Sequence, residues 1–154
     1  MKTNTYASNL PIQTRTGQPV LDIVVPFTTG PLTRAALSAA GRLSTGLLPL
    51  IRLVRTQIVP FPLQLEAAPI SSTVLRQHLM PLAEEFGAHV QVCFARDHRD
   101  SLRHVLSPDS VILLAARRSW WQPRWWKTSE ERLAAWLRRN GYTVVLEFME
   151  NNNA

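Results

Sequence analysis

Cysteine is almost absent from this chain. Cys93 stands alone in 154 residues, so no disulfide can form within the molecule, and a reducing compartment is expected. Its apolar, strand-like surroundings predict a buried, inert thiol rather than a nucleophile. Lysine is nearly missing as well. Only Lys2 and Lys127 occur, so the positive charge is almost all arginine. Arginine stays charged, forks onto carboxylate or phosphate, and stacks on aromatic rings. No long unbroken hydrophobic run is present either. The longest apolar region, Leu47 to Leu65, is interrupted by Arg52, Arg55, Pro49, Pro60 and Pro62, which argues against a helical membrane span. No charged-then-apolar segment opens the chain, and a soluble, cytoplasmic protein is expected. A G-x-S-x-G elbow and a phosphate-binding P-loop are both missing. His78, His89, His98 and His104 show no metal-ligand spacing. No catalytic set emerges, and an enzyme is not expected.

What is present is a basic chain of single-domain length. Lys and Arg number 17 against 11 Asp and Glu. The surplus is uneven: from Arg96 to Arg139 there are ten basic and five acidic residues. That half is the candidate anion-facing part.

Five apolar, strand-like runs alternate with four helical patterns. LDIVVPF (21–27) is β-branched and short, as a buried strand should be. Thr28-Thr29-Gly30-Pro31 turns the chain into a helix whose inner face is expected at Leu32, Ala35, Ala36, Ala39, Ala40 and Leu43. LIRLVRTQIV (50–59) reads as a second strand. In a regular strand Arg52 and Arg55 fall on opposite faces, so a protruding end or a bulge is expected. Ser71 or Ser72 caps the next helix, with Leu75, Leu79, Leu82 and Phe86 inward, Gly87 as the stop, and a kink expected at Pro81. HVQVCFA (89–95) alternates, which favours a sheet edge. A short helix then carries Leu102, Val105 and Leu106 inward, with Asp97 or Asp100 as its cap. VILLAA (111–116) is uniformly apolar, which favours a central strand. Thr128 and Glu131 form a capping box ahead of a helix with Leu133, Trp136 and Leu137 inward, and Asn140-Gly141 closes it. TVVLEF (143–148) is the fifth strand. Residues 1–19 and 149–154 are expected to be loose tails. Strands alternating with helices predict a parallel sheet with helices on both faces.

The stretch RRSWWQPRWWKT (117–128) holds four of the five tryptophans, four basic residues and no glycine. It follows the fourth strand, at a junction where α/β proteins commonly meet a ligand. The leading expectation is that the tryptophans fold back and plug the space over the strand ends, with arginines stacked on them. Ligand binding by aromatic stacking with a basic clamp comes second. Contact with an anionic surface, a membrane or a nucleic acid, ranks last.

The order and spacing of elements across residues 20–148 resemble the universal stress protein family. IVVPFTTGPLTRAALSAAGRLS (23–44) is similar to the family's first strand and alanine-rich helix, of the form V-P-x-D-G-S. TSEERLAAWLRRNGYTVVLEF (128–148) resembles its last helix and strand, and Ile58 to Pro62 fits the end of its second strand. The resemblance implies a Rossmann-like sheet of order 3-2-1-4-5 and a homodimer paired through the fifth strands. ATP-binding members carry an aspartate where this chain has Thr28, a Gly-x-x-Gly segment where it has Ala115-Ala116-Arg117-Arg118, and a Gly-Ser or Gly-Thr pair where it has Lys127-Thr128-Ser129. The glycines that let backbone amides wrap phosphate are missing.

The expectation is therefore a non-catalytic regulatory or ligand-sensing domain of universal stress protein type, with a degenerate or remodelled nucleotide site. Thr28, Thr29, Arg117, Arg118, Lys127, Thr128 and Ser129 would line that site. No obligatory cofactor is expected, and ATP or another adenine nucleotide is the ligand to consider. The alternative is an adaptor that binds an anionic surface (membrane lipid or nucleic acid) or a protein through the Trp/Arg loop.

Overall fold

A computed structural model describes residues 20–65 and 70–149. The expected tails at 1–19 and 150–154 lie outside the described residues. Met149, expected in the C-terminal tail, is instead the last residue of the fifth strand.

Five parallel strands form one sheet: β1 (Leu21–Pro26), β2 (Pro49–Ile58), β3 (His89–Ala95), β4 (Val111–Arg117) and β5 (Thr143–Met149). Their order is β3-β2-β1-β4-β5, as expected. Four helices connect them: α1 (Gly30–Leu43), α2 (Ser72–Glu85), α3 (His98–Val105) and α4 (Ser129–Arg139). The result is a three-layer α/β fold of Rossmann-like type. The uniformly apolar β4 sits inside the sheet, buried from Ile112 to Ala116, and the alternating β3 sits at an edge.

The pleat sends neighbouring side chains to opposite faces, and each face has its own core. Ile23, Val25, Ile51, Leu53, Leu113 and Ala115 meet α1 and α2, with Leu37, Ala40, Leu79 and Ala83 among the contacts. Val24, Val54, Ile112 and Leu114 meet α3 and α4 through Leu102, Leu106, Ala134 and Leu137. The small residues Ala36, Ala39 and Ala40 are buried, so α1 lies close to the sheet.

Several local expectations change. Leu43, expected inward, is 52% exposed, while Thr33 and Leu37 are buried. α1 thus presents a broader and rotated stripe, because it lies over both β1 and β4. In α2 the buried positions are Leu79 and Ala83, whereas Leu75, Leu82 and Phe86 are only partly covered. α2 is one helix from Ser72 to Glu85 with Pro81 inside it.

β2 needs no bulge for its two arginines. Its pairing runs unbroken from Leu21↔Pro49 to Pro26↔Val54 on one side and from Arg52↔His89 to Ile58↔Ala95 on the other. Arg52 reaches back to Asp22. On the opposite face, the Arg55 guanidinium lies 4.5 Å from the centre of the Phe27 ring. Long arginine stems let the charge find a partner without distorting the strand.

Candidate functional site

In a sheet of this order, β1 and β4 are neighbours whose following helices lie on opposite faces. That divergence opens a crevice beyond the strands' C-terminal ends, the usual ligand position in α/β folds. Here the crevice is a cleft of about 460 Å³. Phe27, Thr28 and Thr29 form one wall, the start of α3 (Asp97, His98, Arg99) another, and the start of α4 (Ser129, Glu130, Arg132, Leu133) the third.

Local chemistry sets each wall. The Phe27 N–H donates to the Val54 carbonyl at 2.7 Å, which continues the β1–β2 pairing past the end of β1. The Thr28 N–H then donates to the buried Thr33 hydroxyl at 3.1 Å. Thr29 is the N-cap of α1, but its side chain makes no capping bond. The Asp97 carboxylate caps α3 by accepting from the Asp100 N–H at 3.3 Å. α4 opens on the expected capping box. The Glu131 N–H donates to the Thr128 hydroxyl at 3.3 Å, and the Thr128 N–H donates to Glu131 Oε2 at 2.7 Å. The first-turn amides of a helix have no carbonyl partner within it. Two helix starts therefore aim donor groups and partial positive charge at one space.

The formal charges of the cleft are balanced. Arg99 and Arg132 face Asp97 and Glu130. Burial holds the His98 imidazole below its ordinary range, against the opposing pull of Asp97, so the ring is neutral near pH 7. Such a cleft can bind through helix-terminal amides, the hydroxyls of Thr28, Thr29 and Ser129, and two guanidinium groups. Among the described residues, no three His, Cys, Asp or Glu side chains come together as a metal cluster would require.

The residues expected at the site divide into three groups. Thr28, Thr29 and Ser129 line the cleft. Thr128 stands behind it with its hydroxyl engaged in the cap. Arg117, Arg118 and Lys127 do not line it. Arg118 is structural: its Nη2 donates to Glu131 Oε1 at 2.6 Å, and its guanidinium lies 5.7 Å from the Phe148 ring centre. Lys127 belongs to a neighbouring groove of about 340 Å³ with Trp125, Trp126 and Arg132, the last of which also lines the cleft. Arg117, the last residue of β4, is exposed.

The two cations that line the cleft are Arg99 and Arg132. Arg132 lies three residues beyond Ser129, on the same side of α4's first turn. Arg99 lies two residues beyond the α3 cap. Both signals were available in the helix register.

The expectation that the tryptophans plug the crevice is overturned. None of the four lines it, and Trp120, Trp121, Trp125 and Trp126 are 94%, 65%, 78% and 53% exposed. The cause is the loop's own folding. The Gln122 N–H donates to the Ser119 carbonyl at 3.0 Å, and the Trp126 N–H donates to the Pro123 carbonyl at 2.9 Å. Two tight turns in succession leave the indoles on the outside.

Compared with known proteins, the chain matches no family model and no curated sequence.

Proposed function

We propose that this chain is a non-catalytic ligand-sensing domain of universal stress protein type, binding a small anionic ligand in the cleft between Thr28-Thr29 and the start of α4. The observation that carries this is the cleft itself, about 460 Å³ at the divergence of β1 and β4 and bounded by the starts of α3 and α4. The strand order and the sequence likeness at 23–44 and 128–148 support the family reading. An adenine nucleotide is the first ligand to try, because that likeness implies it.

The mode of binding differs from a glycine-rich phosphate loop. β4 ends in Ala115-Ala116-Arg117, so backbone cannot wrap phosphate there. Ser129, the α4 amides, Arg99 and Arg132 supply the recognition instead. Homodimerisation through β5 belongs to the same proposal. β5 is an edge strand, and an edge offers unpaired backbone groups to a second copy.

Titration calorimetry with ATP, ADP and AMP tests the reading. Saturable heat that weakens in Arg132→Ala and persists in Arg117→Ala is expected. No heat from any of the three at millimolar concentration would reject nucleotide sensing. Light scattering on the purified chain tests the dimer, and a monomer at all concentrations would reject that part.

A further inference from the structure

We infer that the β4–α4 loop is an interfacial anchor that seats this domain on a membrane surface carrying anionic lipid. The two turns at 119–122 and 123–126 place Trp120, Trp121, Arg124 and Trp125 at their central positions. Trp126 follows directly, its ring centre 6.0 Å from that of Trp125 and tilted by 30°. All four indoles are more than half exposed. A tryptophan side chain carries on the order of 200 Å² of surface, so four on one short loop make a patch of several hundred Å², the scale that marks an interaction site.

The charge around the patch has one sign. No acidic residue occurs between Asp109 and Glu130, whereas Arg117, Arg118, Arg124 and Lys127 all do. Arg118 is taken up by Glu131. Among the described residues, no ion pair engages Arg117, Arg124 or Lys127. The surface thus combines exposed indoles with cations that have no carboxylate of their own. Trp125, Trp126, Lys127 and Arg132 enclose a groove of about 340 Å³, in which a phosphate diester headgroup meets two cations while the indoles enter the acyl boundary.

The chemistry favours lipid over single-stranded nucleic acid. An indole has an apolar ring and one N–H donor, which suits the headgroup depth of a bilayer. Cations near an anionic leaflet add attraction without needing a specific partner. A single-strand binder instead threads successive bases along an extended basic groove several nucleotides long. Here the aromatics are confined to two adjacent turns.

Co-sedimentation with phosphatidylcholine vesicles, with and without phosphatidylserine, tests the anchor. The full chain should sediment with the phosphatidylserine vesicles, release as salt is raised, and show a blue shift of tryptophan emission. The variant W120A/W121A/W125A/W126A should fall to the level seen with phosphatidylcholine alone, with its circular dichroism and melting temperature unchanged. Arg124→Ala/Lys127→Ala should lower partition on the order of thirtyfold, from about fivefold per charge. This second variant carries the test if the first does not fold. Absence of sedimentation overturns the proposal, as does sedimentation unchanged in both variants. So does displacement by inorganic phosphate at matched ionic strength, which would mean a free-anion site. Binding of a single-stranded oligonucleotide without vesicle binding would also overturn it.

Discussion

Arg52 forks onto Asp22 across the β1–β2 pair, with Nε 2.8 Å from Oδ1 and Nη2 2.7 Å from Oδ2. The pair is mostly buried and has further partners. The Ser110 hydroxyl donates to Asp22 Oδ2 at 2.5 Å, and Arg52 Nη1 donates to Gln91 Oε1 at 3.0 Å. Three strands and the turn before a fourth are tied together at the end of the sheet remote from the cleft. Removing one partner leaves the other buried without its counter-charge.

Asp22→Ala and Arg52→Ala should each cost about 2–3 kcal/mol. The paired replacement D22L/R52M should recover part of that loss, because apolar residues of similar size need no counter-charge. Urea denaturation measures all three. Single variants within error of the parent would show that the pair carries no stability.

Stability should fall in acid. Burial pushes the Asp22 carboxyl up, but the Arg52 bond, the Ser110 hydroxyl and the Arg52 charge together outweigh it and hold the group below its ordinary value. Glu131 behaves alike: burial raises it, while the Thr128 amide and Arg118 more than compensate. A depressed carboxylate stabilises the fold above the unfolded-state value, near pH 4, and the contribution is lost as pH falls through the folded-state value. Melting temperatures of the parent and of Asp22→Asn should converge as pH is lowered. A constant gap between them would contradict the linkage.

Thr128→Ala should cost about 1 kcal/mol through loss of the α4 cap. Arg117→Ala, on an exposed side chain at the end of β4, should stay within about 0.5 kcal/mol. Thermal melts of the two variants separate the roles, and equal losses would refute the assignment. The cap also sets where Ser129 enters the cleft, so any ligand affinity should drop in Thr128→Ala and hold in Arg117→Ala.

Cys93 should resist thiol reagents in the native protein. Burial pushes its pKa up to about 11, against an opposing effect of the Arg52 charge, and the side chain is buried on the α3 side of the sheet. The reactive thiolate is therefore scarce at neutral pH. Labelling with a chromogenic disulfide should be slow until denaturant is added. Fast labelling of folded protein would rule out this burial.

Much of the architecture was legible because it is local. The apolar run at 111–116 implied an inner strand, and the alternation at 89–95 implied an edge. Thr128 with Glu131, Asp97, and Gly141 at φ 85° mark helix boundaries through chemistry confined to a few neighbouring residues. The site was only half legible. Thr28, Thr29 and Ser129 lie at strand and helix ends, where chain order alone points to a crevice. Asp97, His98 and Arg99 follow β3 at the same edge of the sheet, and they meet the crevice because α3 packs on the same face as α4. The direction of the tryptophans is not legible in the sequence, because composition does not say where a loop's own turns will aim its side chains.

By itself, the sequence determined the alternation of strands and helices, the caps and the isolated thiol. Each of these follows from periodicity or from bonds between near neighbours. The tertiary structure decided the pairing of Arg52 with Asp22, the withdrawal of Arg118 into a brace on Glu131, the entry of Arg99 and Arg132 into the cleft, and the outward turn of four indoles. Those outcomes depend on which distant surfaces meet, and a charged or aromatic side chain takes its role from the partner it finds there.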